Sequence, residues 1–170
     1  VAPRYFLPHR AAEAPAAGEP DHGKGGLAWR DGRTLLIGVV VLGATLTEGA
    51  GNDWIAKAAV DGLGAEQSTG ALLFAAFVLA MTAMRFFGGR AIDVYGRVAV
   101  LRASMAAAAA GLCLFVFAGS IWLAAAGAVL WGVGAALAFP IGMSAAADDP
   151  RKAAARVSVV STLGYIAFLA

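Results

Sequence analysis

Three uninterrupted blocks of apolar residues constrain the fold of this sequence more than any other feature. They run from about residue 68 to 87, from about 98 to 118 and from about 121 to 147. A helix needs about 20 predominantly apolar residues to cross a bilayer, and the blocks lack the strict alternation of membrane β-strands. Because backbone groups in hydrocarbon are satisfied only within helices or closed barrels, the sequence predicts an all-α membrane protein, a polytopic bundle of transmembrane helices.

Two further spans and a hydrophilic segment complete the predicted organisation. The first span covers about 35–60, and a fifth, at 157–170, has only 14 residues before the sequence ends. That length is too short to cross a bilayer, so we expect an internal piece of a larger membrane protein, with the helical bundle over 34–170. Residues 1–33 are rich in proline, glycine and mixed charges, which predicts a flexible cytoplasmic linker.

Lysine and arginine are distributed asymmetrically around the predicted spans. Twelve of the 13 basic residues precede the first span or lie around the second and fourth connections, and only Lys57 lies on the other side. Since basic residues favour the cytoplasmic ends of transmembrane helices, the linker and these two connections are predicted to be cytoplasmic.

Composition and motif content exclude several other classes of function. Charged residues make up only 14% of the sequence and the net charge is +2, without a basic patch for nucleic acid. The single cysteine, Cys113, rules out an intramolecular disulfide, and the two histidines lie in a polar segment without a metal-ligand pattern. The sequence lacks HExxH, GxSxG and phosphate-cradling motifs, so we expect no enzymatic activity, metal or cofactor.

The first span carries a polar segment in its second half. Thr45, Glu48 and Asn52 are spaced to share one helix face, and Asp53 lies about 100° away from it. An ionisable group deep in a bilayer is expensive unless it faces a cavity or a partner. Glu48 is therefore the leading candidate for binding a solute or a proton, and the other three are its candidate neighbours.

Two interpretations of this polar segment stay open. Gly49 and Gly51 weaken the helix beside the acid and predict an interruption that frees backbone carbonyls for binding. In the alternative, the polar residues lie at a fraying outer helix end, where Asp53 and Lys57 form an i, i+4 pair.

The fourth span contains Trp131 and Pro140 within an uncharged apolar block. A tryptophan away from the membrane interface either stacks on a ring of a solute or packs against lipid or a neighbouring helix. A proline within a span predicts a kink whose freed backbone groups are satisfied by neighbours.

The second connection reads GGRAIDVYGRVAVL and combines small and charged residues. Gly89 is expected to let a helix end approach its neighbour, and Gly96 to permit a tight reversal before the third span. Asp93 is expected to pair with Arg90 or Arg97, or to accept backbone N–H groups at a helix start. An ordinary charged turn is the alternative interpretation.

Gly89, Asp93, Gly96 and Arg97 match the signature loop of the major facilitator superfamily, and the chain resembles that family. The resemblance implies half of its transporter fold, with the five spans as helices seven to eleven after a central linker. The segment EGAGNDW, residues 48–54, also looks like the fucose-permease-like branch of the family.

The resemblance implies a secondary active transporter in a bacterial cytoplasmic membrane, with a missing N-terminal six-helix half as its structural partner. A small solute, sugar or drug-like, is expected to move by alternating access with protons, in symport or antiport, through Glu48. The loop that contains Arg90 and Asp93 is expected to latch the cytoplasmic side. A non-transporting membrane scaffold or assembly subunit is the alternative, because it would use the same helix faces rich in alanine and glycine.

Overall fold

Six α-helices make up the regular structure of residues 28–169, the part of the chain that the computed structural model describes. In chain order they are α1 (Gly32–Leu63), α2 (Gln67–Tyr95), α3 (Arg97–Val116), α4 (Ile121–Ala135), α5 (Ala138–Ala146) and α6 (Ala153–Leu169). Most of the predicted linker, residues 1–27, lies outside the described residues, as does Ala170.

Within residues 28–169, four helical stretches are long and apolar enough to cross a membrane. They are α1, α2, α3 and the pair of α4 and α5, which together cover Ile121–Ala146. The apolar part of α6, Ala153–Ala167, is shorter. These stretches confirm the predicted all-α fold with several membrane-spanning helices.

The helices extend beyond several of the predicted span ends. Helix α2 continues past the predicted end at 87 to Tyr95, and α6 begins at Ala153 rather than at 157. Hydropathy marks the thickness of the hydrocarbon core, whereas a helix continues into the headgroup zone without needing apolar residues. The connection from α2 to α3 is therefore the single residue Gly96, whose φ of 80° favours glycine.

Helix α1 has a defined boundary at each end. Asp31 caps its start by accepting a hydrogen bond from the Arg33 backbone N–H at 3.2 Å, and Gly64, with a φ of 64°, ends it. The 32 residues between these caps make a helix about 48 Å long at about 1.5 Å per residue. Since the hydrocarbon core is about 30 Å thick, α1 is long enough to extend beyond it at both ends.

Helix α4 packs against its neighbours with the backbones almost in contact. A Cβ atom on Gly134 would lie 2.6 Å from the Cα atom of Ala108 in α3. Gly132 faces α2 in the same manner, where a Cβ atom would collide with the Phe77 carbonyl group. Small residues at such positions let membrane helices pack closely through van der Waals contacts. They make the fourth span the most buried of the four.

We expect Gly134→Leu to destabilise the protein by about 1–3 kcal/mol, the usual range for overpacking, because the new side chain has to displace the α3 backbone. Thermal unfolding of the purified protein in detergent measures the effect as a lower Tm. Gly43→Leu is the matched control, since no neighbouring atom lies within 4 Å of a Cβ atom built there. Equal Tm values for the two variants would contradict the close packing.

Two groups of buried side chains fix the helices relative to one another. The larger group centres on Trp131, whose ring lies 5.5 Å from that of Phe77 and 6.1 Å from that of Phe115, measured between centroids. A smaller group that includes Val41 and Val160 joins α1 to α6. Helices α1 and α2 also pack directly on each other, and this contact brings Glu48 of α1 to Arg85 of α2.

Candidate functional site

An ion pair joins the middle of α1 to α2. The Nη2 group of Arg85 donates to both carboxylate oxygens of Glu48, at 2.9 Å and 3.0 Å. Glu48 lies 16 residues after Gly32 and 15 before Leu63, which places it at the midpoint of α1. Its side chain is 14% exposed, against 43% for that of Arg85. A charge at this depth requires a partner, and here the partner is an arginine on the neighbouring helix.

A break in the fourth span supplies a further contact to Arg85. Pro140 has no N–H group, so the carbonyl group four residues earlier, on Ala136, has no helical donor. The Nε group of Arg85 donates to that carbonyl at 3.2 Å. The break falls between α4 and α5, at Ala136 and Leu137. The proline-dependent interruption expected from the sequence is therefore present, and the carbonyl that it frees binds the guanidinium of the ion pair.

An open cavity of about 520 Å³ is lined in part by Arg85. Apart from Arg85, its lining is small or apolar and comes from α2 and the fourth span: Gly89, Ile92, Leu137, Phe139 and Pro140. Within residues 28–169, the Nη1 group of Arg85 has no hydrogen-bond acceptor. Over the same range, no three His, Cys, Asp or Glu side chains are grouped as metal ligands. The site therefore combines a partly exposed cation with an apolar wall.

Helix α1 continues past the two glycines beside Glu48, so the interruption predicted there is wrong. Gly49 faces open space, whereas a Cβ atom on Gly51 would lie 2.6 Å from the ring of Phe77. Gly51 therefore brings α1 close to α2, which helps Glu48 to reach Arg85. The same continuity is inconsistent with a fraying helix end at this point.

The other polar residues of α1 do not join the ion pair. The Thr45 hydroxyl donates at 2.9 Å to a backbone carbonyl one turn earlier in its own helix. Asn52 is half-buried and Asp53 is exposed, and within residues 28–169 neither side chain has a hydrogen-bond partner. Lys57 pairs with Asp61 at 2.7 Å, so the alternative pair with Asp53 is not formed. Binding roles for Thr45, Asn52 and Asp53 stay predictions.

Trp131 lies in the core of the bundle and is only 2% exposed. Its ring lies between those of Phe77 and Phe115. In this conformation Trp131 therefore packs against neighbouring helices, and its indole ring is closed to a solute. A binding role for Trp131 stays a prediction.

The predicted gating motif divides between the end of α2 and the start of α3. A Cβ atom on Gly88 would lie 2.5 Å from the Leu137 side chain, whereas Gly89 has no neighbour within 4 Å. The close approach expected of Gly89 is therefore made by the residue before it. Arg90 and Asp93 are exposed, and Asp93 has no ion-pair partner in the described part of the chain. Its predicted ion pairs are thus not formed.

Arg97 belongs to a charged cluster at one end of the bundle. Its Nη1 and Nη2 groups donate to the two carboxylate oxygens of Asp148, at 2.7 Å and 3.2 Å. Arg33 reaches the same carboxylate at 3.1 Å, and the Ser144 hydroxyl accepts a further bond from Arg97 at 3.2 Å. The cluster connects the starts of α1 and α3 to the segment after α5. Helix ends that the sequence places on one side of the membrane therefore do lie together.

A further ion pair, separate from this cluster, lies at the same end of the bundle. Arg156, which is buried, donates to Asp31 at 2.6 Å and joins α6 to the start of α1. The Thr34 hydroxyl donates to the same carboxylate at 3.0 Å. This hydroxyl is the main cause that lowers the pKa of Asp31, and Arg156 acts in the same direction against the effect of burial.

We expect acid to weaken the charged cluster only below about pH 4. The hydrogen bond from Arg97 lowers the pKa of Asp148 below its ordinary value of 3.8. A carboxyl group with a lowered pKa in the folded state stabilises the fold fully above its ordinary pKa and loses that contribution as pH falls through the lowered value. The Tm difference between wild type and Asp148→Asn should therefore be constant from about pH 8 to pH 5 and shrink below about pH 4. A difference that already declines near neutral pH would contradict this assignment.

Arg85 and Asp148 are site residues that the sequence did not single out. Arg85 carried a signal, because an arginine within an apolar block needs a partner. Asp148 had no such signal in the sequence, because its partners Arg33 and Arg97 lie 115 and 51 residues away.

Comparison with known proteins gives a consistent result. The family model described as Major Facilitator Superfamily matches residues 32–170. A protein named as an uncharacterized transporter in Sinorhizobium fredii is 35% identical over 129 residues, which cover 76% of this chain and 34% of the relative. An uncharacterized MFS-type transporter of Yersinia pestis is 31% identical over 140 residues, or 82% of this chain and 36% of the relative.

A third relative, the membrane protein MosC of Rhizobium meliloti, is 29% identical over 170 residues, which cover 99% of this chain and 41% of that protein. The chain thus spans about a third to two-fifths of the length of these curated relatives. No solved structure matches the chain.

Proposed function

Because the chain belongs to the major facilitator superfamily, we propose that it forms the C-terminal half of a secondary active transporter. The share of its relatives that the chain covers, 34–41%, is close to five of the twelve helices that the family resemblance implies. The partner of this half is an N-terminal six-helix half. Since the relatives are bacterial, the proposed location is a bacterial cytoplasmic membrane.

The proposed activity is movement of a small solute, sugar or drug-like, by alternating access. The solute moves either in exchange for protons or together with them. The ion pair of Glu48 and Arg85 is the observation that carries this proposal, because it lies at mid-helix beside a cavity and a helix break. A scaffold or assembly subunit has no use for a paired acid and base at that depth, where each charge is expensive. Transport is therefore favoured over a scaffold.

Proton exchange at Glu48 links the ion pair to conformational change. With Glu48 ionised, Arg85 holds α1, α2 and the broken fourth span together through its contacts to both carboxylate oxygens and to Ala136. A proton on Glu48 removes the charge attraction, so the preference for this arrangement of helices falls. A ligand shifts a conformational equilibrium only through such a difference in interaction energy between the states.

The charged cluster at the helix ends is the proposed latch. Arg97 lies in the motif segment and binds Asp148, which Arg33 also contacts. Separating the ends of these helices breaks the contacts, so the cluster stabilises one state of the cycle. Arg90 and Asp93 are exposed on the same segment, and their part in the latch stays a prediction.

We expect a cysteine at Asn52 to react with a membrane-impermeant thiol reagent in the full-length protein, because an alternating-access cavity admits water to the polar face of α1. The experiment uses a Cys113→Ala background, since Cys113 is exposed, and compares labelling of intact cells before and after addition of a proton gradient.

Leu79→Cys is the matched control for this labelling. Leu79 lies on α2 and is 69% exposed on the side of the helix away from the core, where hydrocarbon suppresses thiolate formation. Labelling at Asn52 but not at Leu79, with a rate that changes with the proton gradient, supports a transport cavity. A cysteine at Asn52 that stays unlabelled under every gradient would overturn the proposed function.

A further inference from the structure

We propose that the solute is a small organic anion and that its carboxylate replaces Glu48 as the counter-ion of Arg85. This inference rests on the proposed transport function and names the class of solute that the same site takes. The site is the open cavity of about 520 Å³ that is lined in part by Arg85.

The two members of the ion pair differ in whether they can lose their charge. The guanidinium of Arg85 stays protonated at any physiological pH, whereas the carboxylate of Glu48 becomes neutral when it accepts a proton. Proton exchange therefore removes only the negative charge of the pair. It leaves the Arg85 guanidinium without a counter-ion within residues 28–169, while its Nε group still donates to the Ala136 carbonyl at 3.2 Å.

Among the residues that the structure describes, Glu48 is the one acid whose side chain is bound to Arg85. The fourth span, Ile121–Ala146, contains no titratable residue facing the pair. Arg156 on α6 is already bound to Asp31. On α2 the next charged residues are Arg90, a cation, and Asp93, an exposed acid that is not in contact with Arg85. Asp53 on α1 is exposed and not in contact with Arg85. An unpaired charge at this depth is costly, so the protonated state requires an anion from outside the chain.

The geometry gives such an anion access to Arg85 without first removing Glu48. The arginine side chain is 43% exposed whereas that of Glu48 is 14% exposed. Both carboxylate oxygens of Glu48 bind the single Nη2 group, and Nη1 has no acceptor within the described residues. An incoming carboxylate therefore binds first at Nη1 and completes a two-point contact once Glu48 is protonated, as guanidinium groups commonly bind carboxylates.

The remainder of the cavity indicates what the anion is attached to. Ile92, Leu137 and Phe139 line it with apolar surface, and its volume lies within the range of about 300–1,000 Å³ that holds small organic ligands. A bare inorganic anion leaves this surface in contact with water. A carboxylate on a compact apolar body satisfies both parts of the site, and it moves together with one proton.

Thermal unfolding of the purified full-length protein tests this inference with defined probes. The probes are lactate, propionate and benzoate, each compared with its neutral amide at matched ionic strength. A ligand that binds only the folded state raises Tm, and we expect the carboxylates to raise it by about 3 °C or more. The amides should have no effect.

Two variants test whether the carboxylates act through the ion pair. Glu48→Gln imitates the protonated acid and removes the carboxylate that competes for Arg85, so its response to carboxylates should be larger than that of the wild-type protein. In the double variant Glu48→Gln/Arg85→Gln, which leaves no lone charge to prevent folding, the response should be lost. Amides that act as well as acids, a double variant that still responds, or no response to any carboxylate would overturn the inference. If the cysteine at Asn52 is nevertheless labelled, transport stands and only the solute class is wrong.

Discussion

Arg85→Gln is expected to lower solute uptake by the full-length protein about 100-fold, because the variant loses the hydrogen bonds of the guanidinium group. Each hydrogen bond to a charged group contributes about 1.5–3 kcal/mol. The substitution removes the charge that holds Glu48 and the Ala136 carbonyl at the same point. Counterflow of labelled solute in proteoliposomes measures the loss. Arg102→Gln is the matched control, since Arg102 is exposed on α3 away from the ion pair, and its uptake should be unchanged.

A double-mutant cycle separates the loss of transport from a loss of folding. Arg85→Gln leaves the carboxylate of Glu48 without its partner, and we expect about 2 kcal/mol of destabilisation, below the roughly 3–5 kcal/mol of a fully buried pair because Arg85 is partly exposed. Glu48→Gln/Arg85→Gln should recover most of that stability but not the uptake. Single-variant effects that simply add in the double variant would show that the two side chains are not coupled.

One half of the ion pair was predictable from the sequence and the other was not. Glu48 stands out because an acid near the middle of a long apolar span has few structural explanations. Its partner is 37 residues away on another helix, and helix periodicity gives no information about which residues of two helices meet. The sequence showed that Glu48 needed a partner, but only the packing of α1 against α2 identifies Arg85.

The glycines illustrate the same limit at a finer scale. The sequence predicts close helix approaches at glycines but not which member of a pair makes the contact. Gly51 and Gly88 lie against Phe77 and Leu137, whereas Gly49 and Gly89 face open space. A helix turns by about 100° per residue, so neighbouring glycines point to different surroundings that only the bundle defines.

Basic residues were predictable as a group and not as individual contacts. The positive-inside pattern indicates that the starts of α1 and α3 and the end of the fourth span lie at one side, and the contacts of Asp148 with Arg33 and Arg97 place them together. The pattern counts charges and does not assign acids to them. For that reason the sequence predicted that Asp93, the acid of the motif, pairs with Arg90 or Arg97. In the structure Arg97 pairs with Asp148 instead.

Pro140→Ala is expected to reduce uptake about 10-fold, close to the loss of one hydrogen bond from a charged donor, while Tm stays equal or rises. The alanine restores an N–H group four residues after Ala136, whose φ of −59° and ψ of −40° already lie in the helical region. The new backbone N–H group therefore competes with the Nε group of Arg85 for the same carbonyl oxygen. Removing a proline from a helix also favours continuity of α4 and α5.

This combination of lower activity with undiminished stability is what distinguishes a positioning role of Pro140 from a purely structural one. A proline that only shapes the fold loses stability and uptake together when it is replaced. Pro150→Ala is the matched control, because Pro150 is exposed in the segment between α5 and α6. A new N–H group at that position does not compete with Arg85 for the Ala136 carbonyl. Hydrogen exchange at residues 136–141 should slow in Pro140→Ala as the helix becomes continuous. Unchanged uptake in that variant, with slowed exchange, would show that the freed carbonyl of Ala136 does not hold the guanidinium for transport.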